Sequence, residues 1–166
     1  MTDGDCIKET KRKLGQYNKM KVAVQNLAEE IEARTAALQG ESVAIARYGD
    51  TPTGGTSELT ATEAAAARRM WAEADIEVMR QRKAEMERTL RAVDRALACL
   101  SEGDERLVRG RYIDGYAWWC VAREAGYTEK YASERGNRLL RDVADMVFGM
   151  VSRPLQTRLF VYDGCG

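Results

Sequence analysis

Thr128, Lys130, Ser133, Glu134 and Asn137 recur at helical spacing near the C-terminal end of the chain, with Arg138 and Arg141 close behind. On one side of a helix these are groups that read the edges of planar bases. Asn pairs with adenine, Lys donates to guanine acceptors and Glu accepts from the cytosine amino group. Arg123, Arg138 and Arg141 carry guanidinium groups of the kind that clamp phosphates, which sets register without reading sequence. The chemistry that these types and spacings support is recognition of a duplex groove.

Covalent chemistry has no comparable support. The chain has no His, so there is no Ser/His/Asp triad, no Cys/His dyad and no His-ligated zinc. Cys6, Cys99, Cys120 and Cys165 lie far apart, which excludes CxxC redox and zinc-ribbon spacing. No glycine-rich loop follows a strand. Asp104 and Glu105 are better explained as helix-start charges, which the helix dipole favours. No enzyme activity, cofactor or metal is expected. Scattered thiols without a signal-peptide pattern read as a reducing cytoplasm. No apolar run approaches the roughly 20 residues of a membrane span.

Acidic and basic residues balance at 26 each, so any affinity for nucleic acid must rest on local charge. Between Arg106 and Arg141 eight basic residues face four acidic ones, an excess of four positive charges. Counterion release on DNA responds to such a local excess.

The elements that must position these groups are short. Ser101-x-x-Asp104 forms a capping-box pattern that opens a helix through Tyr112, and Gly115 marks its end. A second helix, about 117–125, presents Trp118, Val121, Ala122 and Ala125. Gly126 supplies a sharp turn. Thr128 is the N-cap of a third helix, about 129–148, with Ala132, Leu139, Leu140, Val143, Met146 and Val147 on one side. Ala122 is small where the third helix crosses, Tyr127 plugs the core after the turn, and Ala132 faces back. Together these meet the constraints of a helix-turn-helix. Trp118 and Tyr112 belong to its core, and Trp119 covers the junction with the preceding helices.

The residues before 101 form two long helical patterns. Leu14, Tyr17, Val24, Ala28, Ile31 and Leu38 step by threes and fours over about 5–39, with Lys21 and Thr35 in the same register and Gly40 as the stop. Pro52, Gly54 and Gly55 mark a loop over 40–59, where Val43, Ile45 and Tyr48 pack locally. Thr60-x-x-Glu63 then caps a helix over 60–100. Its seam of Ala72, Ile76, Met79, Met86, Leu90, Val93, Leu97 and Leu100 is interrupted only by Lys83, which is a coiled-coil signal. The fold expected is all-α: a long antiparallel helical hairpin (1–100), a small helix-turn-helix domain (101–150) and a C-terminal tail (151–166). In the tail, Leu159-Phe160-Val161-Tyr162 forms a short strand or docks on the body.

Leu100 through Val147 resembles region four of bacterial sigma factors. More specifically, it is similar to phage late-transcription activators of the RinA/ArpU type. The resemblance rests on Arg111-Tyr112-x-x-Gly115-x-Ala117-Trp118-x-x-Val121-Ala122 and on the closing run Asn137-Arg138-Leu139-Leu140-Arg141-Asp142-Val143. It implies sequence-specific binding of double-stranded DNA and control of late genes. Two residues depart from the pattern. Arg135 stands where an aliphatic side chain is expected, and Gly136 sits mid-helix, where it costs about 1 kcal/mol against Ala. Glu129 and Glu134 add acid to the reader side.

The reading is a transcription regulator of phage or prophage late genes that touches RNA polymerase or a second copy of itself through the hairpin. Two alternatives stay open. One is a small terminase subunit, and the other is a protein-interaction adaptor with a degenerate helix-turn-helix.

Overall fold

The computed structural model describes residues 2–48 and 56–150. In chain order the elements are α1 (Asp3–Tyr48), α2 (Thr56–Ala98), α3 (Glu102–Val108), a π-helical turn (Arg109–Ile113), α4 (Trp118–Ala125) and α5 (Glu129–Phe148). The described residues contain no strand. The segment Leu159–Tyr162 lies outside them, as do the side chains of Val43, Ile45 and Tyr48.

The two long helices extend further than their pattern indicates. Gly40 does not stop α1, which runs on to Tyr48. A glycine inside a helix costs only about 1 kcal/mol, and nothing else between residues 40 and 48 breaks the backbone. α2 starts at Thr56, so Thr60 lies inside the helix and not at its start. The start of α1 is a capping box: Thr2 Oγ1 accepts from the Asp5 amide at 3.3 Å, and the Asp5 carboxylate accepts from the Thr2 amide at 3.0 Å.

The chain divides into two compact units. One unit comprises residues 1–17 and 91–166, the other 18–90. α3, α4 and α5 are too short to bury an interior alone. Their unit therefore takes in Cys6, Thr10, Leu14 and Tyr17 from α1, and Val93, Ala96 and Leu97 from α2, all buried. Leu107, Val108, Val121, Ala122, Ala132, Leu139, Leu140, Val143 and Ala144 complete this core. Tyr17 ties its elements together. Its hydroxyl donates to Asp94 at 2.5 Å, and the Arg109 guanidinium lies 5.9 Å from its ring centre. Burial, reinforced by Asp94, pushes the Tyr17 hydroxyl above the usual phenol range, so it stays a donor.

Thr10 is fully buried, and its hydroxyl has no hydrogen-bond partner among the described residues. Leaving a buried hydroxyl unpaired costs about 1–3 kcal/mol, whereas an apolar group of the same shape carries no such cost. Thr10→Val is expected to stabilise the protein by about 1 kcal/mol, read as a higher urea midpoint at unchanged slope. A lower midpoint would mean that the hydroxyl is satisfied.

In the second unit, Val24, Ala28, Ile31, Thr35 and Leu38 of α1 are half-buried, as are Ala72, Met79, Met86 and Leu90 of α2. A shallow pocket is lined by Thr35, Leu38 and Gln39 from α1, and by Arg69, Glu73, Ile76 and Arg80 from α2. Lys83 keeps its place on the seam by pairing with Glu87, Nζ to Oε1 at 2.5 Å.

Candidate nucleic-acid interface

The interface is built from the turn between α4 and α5. Gly126 ends α4 in the left-handed region at φ 72°. The Tyr127 amide donates back to the Ala122 carbonyl at 2.8 Å, and the Gly126 amide to that of Arg123 at 3.4 Å. This pair of bonds is a Schellman motif, which satisfies the last carbonyls of α4 and reverses the chain. Thr128 then adopts extended backbone and caps α5, its Oγ1 accepting from the Tyr131 amide at 3.3 Å. Glu129 falls in the first turn of α5, where negative charge suits the helix dipole.

α5 packs against α3 and α4 through Ala132, Gly136, Leu139, Leu140, Val143 and Ala144. Gly136 is where α4 comes closest. A Cβ there would lie 2.2 Å from Trp118 Cη2 and 2.8 Å from its Cζ3. The indole is held on its other sides as well. The Tyr112 ring meets it edge-on at 5.9 Å, and the Arg111 guanidinium stacks on it at 5.3 Å. Arg111 also donates to the Tyr116 carbonyl at 2.9 Å. Tyr112 is buried and Trp118 half-buried.

Arg135, the other residue out of pattern, makes a two-pronged ion pair with Asp104. Its Nε reaches Oδ1 at 2.9 Å and its Nη2 reaches Oδ2 at 2.6 Å. The guanidinium holds the Asp104 carboxyl below the usual carboxylate range. Asp104 is also the residue whose amide donates to Ser101 Oγ at 3.3 Å, so one residue serves both the start of α3 and the flank of α5.

Two aromatic residues sit elsewhere than the pattern indicates. Tyr127 does not plug the core. It is 43% exposed and rests on the ring of Tyr131, 4.9 Å away between centroids. Trp119 does not cover a junction. It is 56% exposed, with the Arg123 guanidinium 5.5 Å over its ring.

The predicted contact residues distribute around α5 as follows. Thr128, Lys130, Glu134, Asn137, Arg138 and Arg141 are exposed, and Ser133 is half-buried on the flank. Asn137 Oδ1 accepts from the Tyr112 hydroxyl at 3.3 Å. Arg138 Nε donates to the Glu134 carbonyl at 3.4 Å. The Thr128 oxygen is engaged in capping.

The local charge is smaller than a count over 106–141 gives. Arg106 pairs with Glu102, Arg109 with Glu105 at 2.6 Å, and Arg135 with Asp104. With these three carboxylates included, eight basic residues face seven acidic ones. The i,i+4 spacings Glu102–Arg106 and Glu105–Arg109 are legible in the sequence as intrahelical pairs. Arg123, Lys130, Arg138 and Arg141 remain on this surface without an acidic partner among the described residues.

Among the described residues no group of three or more Cys, Asp and Glu is placed to hold a metal ion, and no helix is long and apolar enough to cross a membrane. No family model, curated protein or solved structure matches the chain.

Proposed function

We propose that the chain is a sequence-specific, double-stranded DNA-binding regulator that lays α5 in the major groove. α4 and α5 act as the two helices of a helix-turn-helix. The observation that carries this reading is the Schellman turn at Gly126, followed by the Thr128 cap and an α5 whose free side offers Lys130, Arg138 and Arg141 without acidic partners. In this reading Arg123, Arg138 and Arg141 contact phosphates, while Lys130, Glu134 and Asn137 reach base edges, with Thr128 and Ser133 at the margins. The bond from Tyr112 engages the Asn137 amide oxygen, and in this reading the amino group donates to a purine N7. Control of phage late genes, with RNA polymerase as partner, follows from the resemblance in the Arg111–Ala122 and Asn137–Val143 strings.

The test is selection of bound duplexes from a random library at about 100 mM salt, where phosphate contacts still contribute. One enriched motif is expected. Arg138→Ala should weaken binding to all duplexes about equally and lower the salt slope by about 1, while Asn137→Ala relaxes preference at a single base pair. An unchanged salt slope in Arg138→Ala rules out this docking. No retained duplex at all moves the reading to the adaptor, which the exposed Tyr127 and Tyr131 rings beside Glu134 favour.

A further inference from the structure

The unit of residues 18–90 has little interior of its own. Ile76, at 3%, is its one buried hydrophobic side chain among the described residues. Yet α2 carries Trp71 69% exposed and Val78 61% exposed. They are seven residues apart, and exposed Ala64, Ala67 and Ala74 complete the heptad positions around them. This second stripe is distinct from the Ala72–Ile76–Met79 seam, and it is exposed among the described residues. Two large side chains alternating with alanines are knobs and holes on one surface.

We infer that this stripe binds a second copy of the chain. The two α2 helices run antiparallel, about a twofold axis between Ala72 and Glu73. In antiparallel pairs the first heptad position faces the fourth. Trp71 then fills the hole at the partner's Ala74, Val78 fills that at the partner's Ala67, and symmetry repeats both contacts.

The flanking charges choose the register. Arg68 and Asp75 border the stripe on the same edge, and both are exposed with no ion pair among the described residues. At seven residues apart, about 10 Å along the axis, they cannot reach each other. Their neighbours do pair internally: Arg69 with Glu73 at 2.9 Å, and Arg80 with Glu77 at 3.9 Å. In the proposed register each Arg68 meets the partner's Asp75, twice by symmetry. A slip of one heptad either way sets Arg68 against itself or Asp75 against itself. A parallel arrangement would stack Trp71 on Trp71 and leave alanine facing alanine at 67 and 74, so that crowded layers alternate with empty ones.

The experiment is sedimentation equilibrium of the full chain from about 1 to about 100 μM, a range that brackets micromolar association. A dimer is expected. Trp71→Ala should weaken it by about 30-fold or more, as loss of a central aromatic anchor does, with helical circular dichroism unchanged because the side chain is 69% exposed within its own chain. Arg68→Glu alone and Asp75→Arg alone should each weaken it by about 10-fold, because each turns two attractions into two repulsions. The double reversal restores it in the antiparallel register only. A monomer at all concentrations overturns the proposal. So does a dimer indifferent to Trp71→Ala, or a double reversal that stays weak. Partition onto anionic phosphatidylglycerol vesicles without self-association assigns the stripe to a lipid surface and also overturns it.

Discussion

Gly136→Ala should destabilise the protein by about 2 kcal/mol, although it replaces the poorest common helix former short of proline with the best. Propensity alone gives the opposite sign, a gain of about 1 kcal/mol. The new Cβ would sit 2.2 Å from Trp118 Cη2. No Cβ occupies such a position, so the indole must leave. It cannot move by a small rotation, because the Tyr112 edge and the Arg111 guanidinium bound it. Swinging it into water forfeits most of the roughly 2–3 kcal/mol of its burial and both ring contacts. Urea denaturation of Gly136→Ala, Trp118→Ala and the double variant separates the terms. With Trp118 already truncated there is nothing to displace, and Gly136→Ala should then stabilise by about 1 kcal/mol. If Gly136→Ala stabilised the protein with Trp118 present, the close packing of α4 on α5 would be wrong.

The second large effect belongs to Asp104. Asp104→Ala should cost about 2 kcal/mol, combining a two-pronged Arg–carboxylate contact with a favourable charge in the first turn of α3. The estimate is kept at the low end because Arg135 is about one-third exposed and partly screened. Removing Arg135 instead leaves the carboxylate without its partner, so a double-mutant cycle should return a coupling of about 1 kcal/mol. The pair also fixes a pH dependence. The folded carboxyl titrates below its unfolded value, so its contribution is complete above the unfolded pKa of about 3.9 and fades as pH falls through the depressed folded value. Stability measured from pH 6 to pH 2 should fall less steeply below about pH 4 in Asp104→Asn than in the parent. Parallel curves would show that the pair carries no linkage.

The two residues that looked out of place in the third helix are thus the ones that hold it. Arg135 and Gly136 break a local rule, and each break is answered by a residue distant in sequence, Asp104 or Trp118. Periodicity carries no information about such partners, which is why they read as departures rather than contacts. The local signals were legible for the same reason. Gly126, Thr128 and Ser101 act within four residues of themselves, and their turn and cap geometry was readable from residue type. The seams on α1 and α2 were readable as periodic stripes. The ends of those helices were not, because Gly40 weakens a helix without forbidding one. The charge excess was overstated because its window began just after the acids that neutralise it. The bulk of Tyr127 points to a core plug, and the place of Trp119 next to Trp118 points to a cover for the junction, but Tyr127 rests on Tyr131 and Trp119 beneath Arg123, both at the surface.

The π-helical turn at Arg109–Ile113 makes the exact length of the chain matter there. The Asp114 amide donates to the Arg109 carbonyl at 2.9 Å, five residues back, so this turn holds one residue more than an α-helical turn. Deleting any one residue from it would restore ordinary helical spacing and shift the remaining residues of the turn to new positions around the axis. Tyr112 would lose Trp118 and Asn137, and Gly110 would leave the flank of Val121. Substitutions across the turn change one contact each, but a deletion changes all of them together. Among descendants of this sequence, loss of a residue should be tolerated near the ends of the long helices and selected against between Arg109 and Ile113.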